Sequence, residues 1–120
     1  MRISAHYILL SPRQVLKLHY IELDESNNIV KVAPLTEEIA GTAFYDGILF
    51  PSNEEIDTET LHKILKQKNE MPVTEALFQS DLIASDNRQA VFIYQLTGVN
   101  LSAAKFGTSD CGSHCHIQRL

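Results

Sequence analysis

The sequence predicts a small, mainly β (α+β) protein, a β-sandwich or flattened barrel made from the N- and C-terminal segments with one or two helices inserted between them. Three observations predict it. Apolar and polar residues alternate at period two over the first fifty positions, in runs broken by turn chemistry. In the middle of the chain the apolar period lengthens to about 3.6 residues, the helical repeat. From Ala90 onward β-branched and aromatic residues return. One sheet system built by both ends satisfies this order, so the 120 residues read as a single domain. Its parts are an N-terminal β segment (1–50), a helical insert (51–85) and a C-terminal β segment (86–120).

Ile3, Ala5, Tyr7 and Leu9 alternate with Ser4 and His6, a half-buried strand ended by Ser11-Pro12. Leu16 to Leu23 alternates too, but its phase slips between Tyr20 and Ile21, which predicts a bulge. Asp24-Glu25-Ser26-Asn27-Asn28 reads as a hairpin turn, because Asn tolerates the positive φ such a turn requires. Ile29 to Val32 returns and Pro34 ends it. Ala43 to Phe50 makes a fourth strand, stopped by Pro51.

Asp57-Thr58-Glu59-Thr60 has the composition of a helix start. A side-chain oxygen there can accept from the free amides of the first turn, and acids favour the positive end of the dipole. Leu61, Ile64 and Leu65 supply the apolar face. A second short helix begins at Pro72, with Val73, Ala76 and Leu77 inward. After a turn at Asp86-Asn87, AVFIYQL is nearly continuous in apolar residues, as in a strand covered on both faces. Thr97 to Asn100 turns, Leu101 to Phe106 is a weak strand, and Cys115 to Leu120 a short last one.

Composition sets bounds on function. With 44% apolar and 21% charged residues the chain has the make-up of a globular protein, which excludes disordered and collagen-like classes. At this length about two-thirds of the surface of the unfolded chain can be buried, so a core forms without staples. A net charge of -5 with ten scattered Lys and Arg argues against a nucleic-acid partner, since phosphate binding needs a concentrated basic surface. The opening MRISAHYILLSPR has no cleavage pattern, and no apolar run approaches the ~18 residues of a membrane span. A soluble, cytoplasmic protein with no membrane partner is the expectation. Five dispersed glycines form no phosphate-cradling loop.

Taken as a series, ISAHYIL, LKLHYIELDESNNIVKV and FYDGILFP resemble the N-terminal β segment of the amidohydrolase superfamily, in its cytosine deaminase and chlorohydrolase-like branch. AVFIYQLTGVNLSAAKF and the final HIQRL resemble the closing segment of those enzymes, and KILKQKNEMPVTEALFQ is similar to the last barrel helices before it. The resemblance covers about three-quarters of the chain and implies a composite β-sandwich completed by the closing segment beside a catalytic barrel. In that family the strand matching GILFP leads within a few residues into a His-x-His pair that binds the metal. Here Pro51 is followed by Ser52-Asn53-Glu54-Glu55-Ile56, and fewer than forty residues separate Pro51 from Ala90. A (β/α)₈ barrel takes about 250 residues. No catalytic residue of the family therefore carries over. Two glycines of the family pattern fall at His19 and Asn27, which loosens the match without breaking it.

The densest group of ligand-type side chains is SDCGSHCHIQRL. Cys111, His114, Cys115 and His116 offer the donor set of a structural zinc site, though zinc sites ordinarily use two separated pairs. In an extended strand His114 and His116 share one face and Cys115 takes the other. The competing reading is an edge strand with exposed histidines and no cofactor. Cys115 between two histidines is a poor catalytic nucleophile, because strand neighbours rarely reach base-to-nucleophile geometry. His6 and His19 read as half-buried strand residues. Glu54, Glu55, Asp57 and Glu59 read as solvated acids at a helix start rather than as an acid–base pair.

The expectation from sequence is a non-catalytic binding or interaction domain. Its alternatives are a small metal-binding module on the C-terminal cluster and an accessory part of a C–N bond hydrolase whose barrel is a separate chain. The surface that a barrel would bury must be covered by the helical insert, which amphipathic Leu61, Ile64 and Leu65 favour, or by a second chain. An uncovered apolar patch would favour a homodimer, and a barrel-bearing protein is the partner in the accessory-part reading.

Overall fold

The structure is a computed structural model that describes residues 1–36, 41–68, 70–85, 90–98 and 116–120. The chain builds β1 (Arg2–Leu10), β2 (Gln14–Lys17), β3 (His19–Leu23), β4 (Ile29–Pro34) and β5 (Thr42–Ser52). Helices α1 (Thr58–Gln67) and α2 (Val73–Gln79) follow, then β6 (Phe92–Thr97) and β7 (His116–Arg119). The strands form one mixed sheet in the order β4-β3-β1-β5-β6-β7, with β2 also on β1. Among the described strands only β1 and β5 run parallel. Mainly β structure, contributed by both ends with two helices between, is as the alternation and its change of period predict. The predicted strand over Leu101 to Phe106 and the turn at Asp86-Asn87 lie outside the described residues.

Each face of the sheet carries a core. On one face Leu9, Ile48, Phe50, Tyr94 and Leu96 meet Leu61 and Leu65 of α1 and Val73, Ala76 and Leu77 of α2. Burying each large side chain there stabilises the fold by about 1.5–3 kcal/mol. The helical insert thus covers this face of the sheet. On the other face Ile3, Ile8, Leu10, Ile21, Leu23, Ile29, Leu49 and Ile93 pack together. A bridge between Asn28 and Ala90, with the Val91 N–H donating to Asn27 O at 2.9 Å, draws the β3–β4 turn onto the start of β6. The sheet thus curls around this second core.

Local chemistry places several ends as expected. Asp57 caps α1, its carboxylate accepting from the Thr60 N–H at 2.8 Å. That bond, and a second from the Thr60 hydroxyl, hold the Asp57 carboxyl below the usual carboxylate range. Asn27 takes φ 62 in the hairpin turn, while Asp24 accepts from the backbone N–H of both Ser26 and Asn28 at 2.9 Å. The β6 stretch Ile93-Tyr94-Gln95-Leu96 is buried on both faces.

Two expectations need correction. The slip assigned to Tyr20-Ile21 is not a break in the ladder, because Ser4 pairs Tyr20 and Ile3 pairs Ile21 in one register. The interruption falls at Leu18, φ 54, between β2 and β3, and the bulge falls between Glu22 and Leu23 on pairing with β4. Pro51 does not stop β5. It pairs with Ile93, and its carbonyl turns away from β6 to accept from the Ala84 N–H at 2.7 Å. The missing N–H lies on that same side, beyond the last β1 pair, so the ladder loses nothing.

Candidate functional site

Of the four predicted metal-type ligands, Cys111, His114 and Cys115 lie outside the described residues. His116 opens β7, pairs with Thr97 and is exposed. Among the described residues no three His, Cys, Asp or Glu side chains come together as a metal site. The exit from β5, residues 52–56, carries no imidazole. Ser52 is buried and its Oγ accepts from the Glu54 N–H, while Asn53 Nδ2 donates to Ala90 O at 3.3 Å. The donor set there does not fit a catalytic metal.

Two members of the acidic run, Glu55 and Asp57, are committed to structure, while Glu54 and Glu59 are exposed. Asp57 is the cap already described, and Glu55 pairs with Arg119, whose guanidinium also lies 5.7 Å from the centre of the Phe92 ring. Between them Ile56 is clamped by Tyr94: its N–H donates to the phenol oxygen at 2.6 Å, and the phenol donates to its carbonyl at 2.7 Å. Tyr94 in turn stacks on Phe50, ring centres 5.5 Å apart. A shallow cleft at this point is lined by Glu55, Ile56, Asp57, Thr58 and Arg119.

The second cleft, of about 450 Å³, forms where β5 bulges against β1. Ala5 pairs Tyr45 but Tyr7 pairs Ile48, so β5 carries an extra residue at Asp46-Gly47. Gly47 takes φ +83, and a Cβ there would stand 2.2 Å from the Leu96 carbonyl oxygen. No other residue fits. His6, Tyr7, Asp46, Ile48 and Thr97 line the cleft around Gly47. His6 is held on two sides: its Nδ1 accepts from the Gly47 N–H at 3.4 Å, and its ring meets Phe44 edge to face at 5.1 Å. The Asp46 carbonyl accepts from buried Gln95 Nε2 at 2.9 Å, and Gln95 Oε1 accepts from Gln118 Nε2 of β7 at 2.6 Å. A C-terminal strand thereby braces the rim of a cleft cut into the N-terminal sheet.

His19 conforms to the sequence reading as a half-buried strand residue, its Nδ1 donating to Lys17 O at 2.9 Å. His6 does not: it is exposed and faces the cleft. Sequence reasoning passed over Asp46, Gly47 and Thr97. The available signal was Gly47 itself, an isolated glycine within an apolar strand run, which marks a bulge. Comparison of the chain with protein-family profiles, with curated proteins and with solved structures finds no match.

Proposed function

We propose that this protein is a non-catalytic binding or interaction domain of the kind resembled by its sequence, the composite β domain that flanks the barrel in metal-dependent amidohydrolases. The observation that carries this reading is the fate of the chain after β5. Asn53 ties back to Ala90, Tyr94 clamps Ile56, Asp57 caps α1, and the helices then cover the sheet face. Where the family's chain would enter its barrel, this chain returns to its own core. The addition of β6 and β7 to β5 supports the same reading, since a composite domain requires the late strands to extend the early sheet.

With one sheet face covered by the helices, the partner in this reading, a second copy of the chain or a separate barrel-bearing protein, meets another surface of the domain. The test is hydrolysis of simple amides and cyclic amidines by the purified protein, with and without added zinc, alongside its mass in solution. No turnover is expected under either condition. Turnover that a chelator abolishes would overturn the proposal, and stoichiometric zinc lost on changing His114 and His116 together would replace it with a metal-binding module.

A further inference from the structure

The two described clefts differ in how their charges are met. At the start of α1 the Glu55 carboxylate already has Arg119, and Asp57 is spent on the helix cap. At the β5 bulge the Asp46 carboxylate is exposed, and among the described residues no cation pairs with it. Among the described residues no Lys or Arg lines that cleft. Besides Gly47, Gly98 and the buried Ile48, the lining is a ring, a hydroxyl and an imidazole, from Tyr7, Thr97 and His6. Because His6 Nδ1 accepts from Gly47, the proton of its neutral form is on Nε2, which makes that nitrogen a donor. One carboxylate acceptor, one N–H donor and one half-buried aromatic ring therefore line a cleft around a glycine whose conformation no other residue can take.

We propose that the cleft at the β5 bulge is a binding site for a small organic cation with a flat apolar body. The cationic group meets the Asp46 carboxylate, the body rests on the half-buried Tyr7 ring, and an acceptor on the ligand takes the His6 Nε2–H. A ring cation gains from both features, since aromatic faces attract cations and the exposed carboxylate supplies the opposite charge. Bulges commonly re-aim side chains beside binding sites, and here the bulge is braced from behind by Gln95 and Gln118. This inference goes beyond the interaction reading and stands whether or not that reading holds, because it needs neither a partner nor the family likeness.

The experiment is a titration of the ¹⁵N-labelled full chain, at neutral pH and low salt, with benzylamine, benzyl alcohol and benzoate, which share a ring and differ in charge. Benzylamine is expected to give saturable shifts of the His6, Tyr7, Asp46 and Gly47 amides, with a dissociation constant of roughly millimolar order for a ligand this small in so open a cleft. Benzyl alcohol is expected to bind roughly fivefold more weakly, as fits loss of a partly exposed charge contact, and benzoate to give no saturable shift. Asp46→Asn, at an exposed position, should bring benzylamine down to the benzyl alcohol level with the rest of the spectrum unchanged. Added salt should weaken benzylamine alone. Equal binding by benzoate, an unchanged affinity in Asp46→Asn, or no saturable shift at these amides would overturn the site.

Discussion

The two halves of β5 lie beside the same strand, β1, yet they live in different surroundings. Ile48 to Ser52 is buried throughout and paired on its second edge by β6. Thr42 to Asp46 is half-buried or exposed, and among the described strands only β1 pairs it. Two phenylalanines six residues apart show the contrast: Phe44 is 49% exposed and Phe50 is 1% exposed. Nothing in their own chemistry distinguishes them. The second neighbour and the helical layer do, and Gly47 is the pivot at which one environment gives way to the other.

The strongest way to break this comparison is to remove the buried ring. Phe50→Ala should destabilise the protein by about 3–5 kcal/mol, the cost of a large cavity between sheet and helices, read as a shift in the urea midpoint. A loss below about 1 kcal/mol would mean the helices do not seat on β5 as described. Next comes the pivot. Gly47→Ala forces a side chain into positive φ against the Leu96 carbonyl and should cost about 3 kcal/mol, with amide shifts concentrated in β5 and β6. A neutral outcome would show that the bulge relaxes.

Tyr94→Phe keeps the stack on Phe50 but strands the N–H and C=O of Ile56. It should cost about 1–3 kcal/mol and speed amide exchange at Ile56. Unchanged exchange there would remove the clamp from the account. Phe44→Ala, on the open half, should change stability by no more than about 0.5 kcal/mol while releasing the His6 ring, visible in its imidazole resonances.

The smallest effect is electrostatic. The Asp57 carboxyl titrates below its ordinary range in the folded protein, because the Thr60 N–H and hydroxyl favour its charged form. Its contribution is therefore complete above the ordinary value of about 4 and is lost as pH falls through the lower folded value. Asp57→Asn should flatten the stability profile slightly below about pH 5, measured by thermal melts across that range, and leave neutral-pH stability nearly unchanged because Asn also caps. An identical acid slope in both proteins would discard the assignment.

Much of the architecture was legible because it is written in local terms. Asp57 announces the start of α1, Asn27 the hairpin turn, and the Leu61–Leu65 and Val73–Ala76–Leu77 spacings the faces that seat on the sheet. Pro51 misled for a physical reason. Proline ends a strand only where its absent N–H is needed, and which edge needs it depends on where the neighbouring strand stops. The cleft was hidden in a similar way: His6 and Asp46 are ordinary mid-strand residues and Thr97 an ordinary strand end until three separate segments bring them around one bulge.

By itself, then, the order of residues decided the periods, the caps and the turns, and with them a β-rich chain interrupted by two amphipathic helices. These depend on φ, ψ and side chains within a few positions of one another. Only the folded molecule decided that β1 pairs parallel with β5, that the insert covers one face, and that Phe44 is open while Phe50 is closed. Such outcomes rest on contacts between segments tens of residues apart, and a residue's burial is a property of what arrives beside it rather than of the residue.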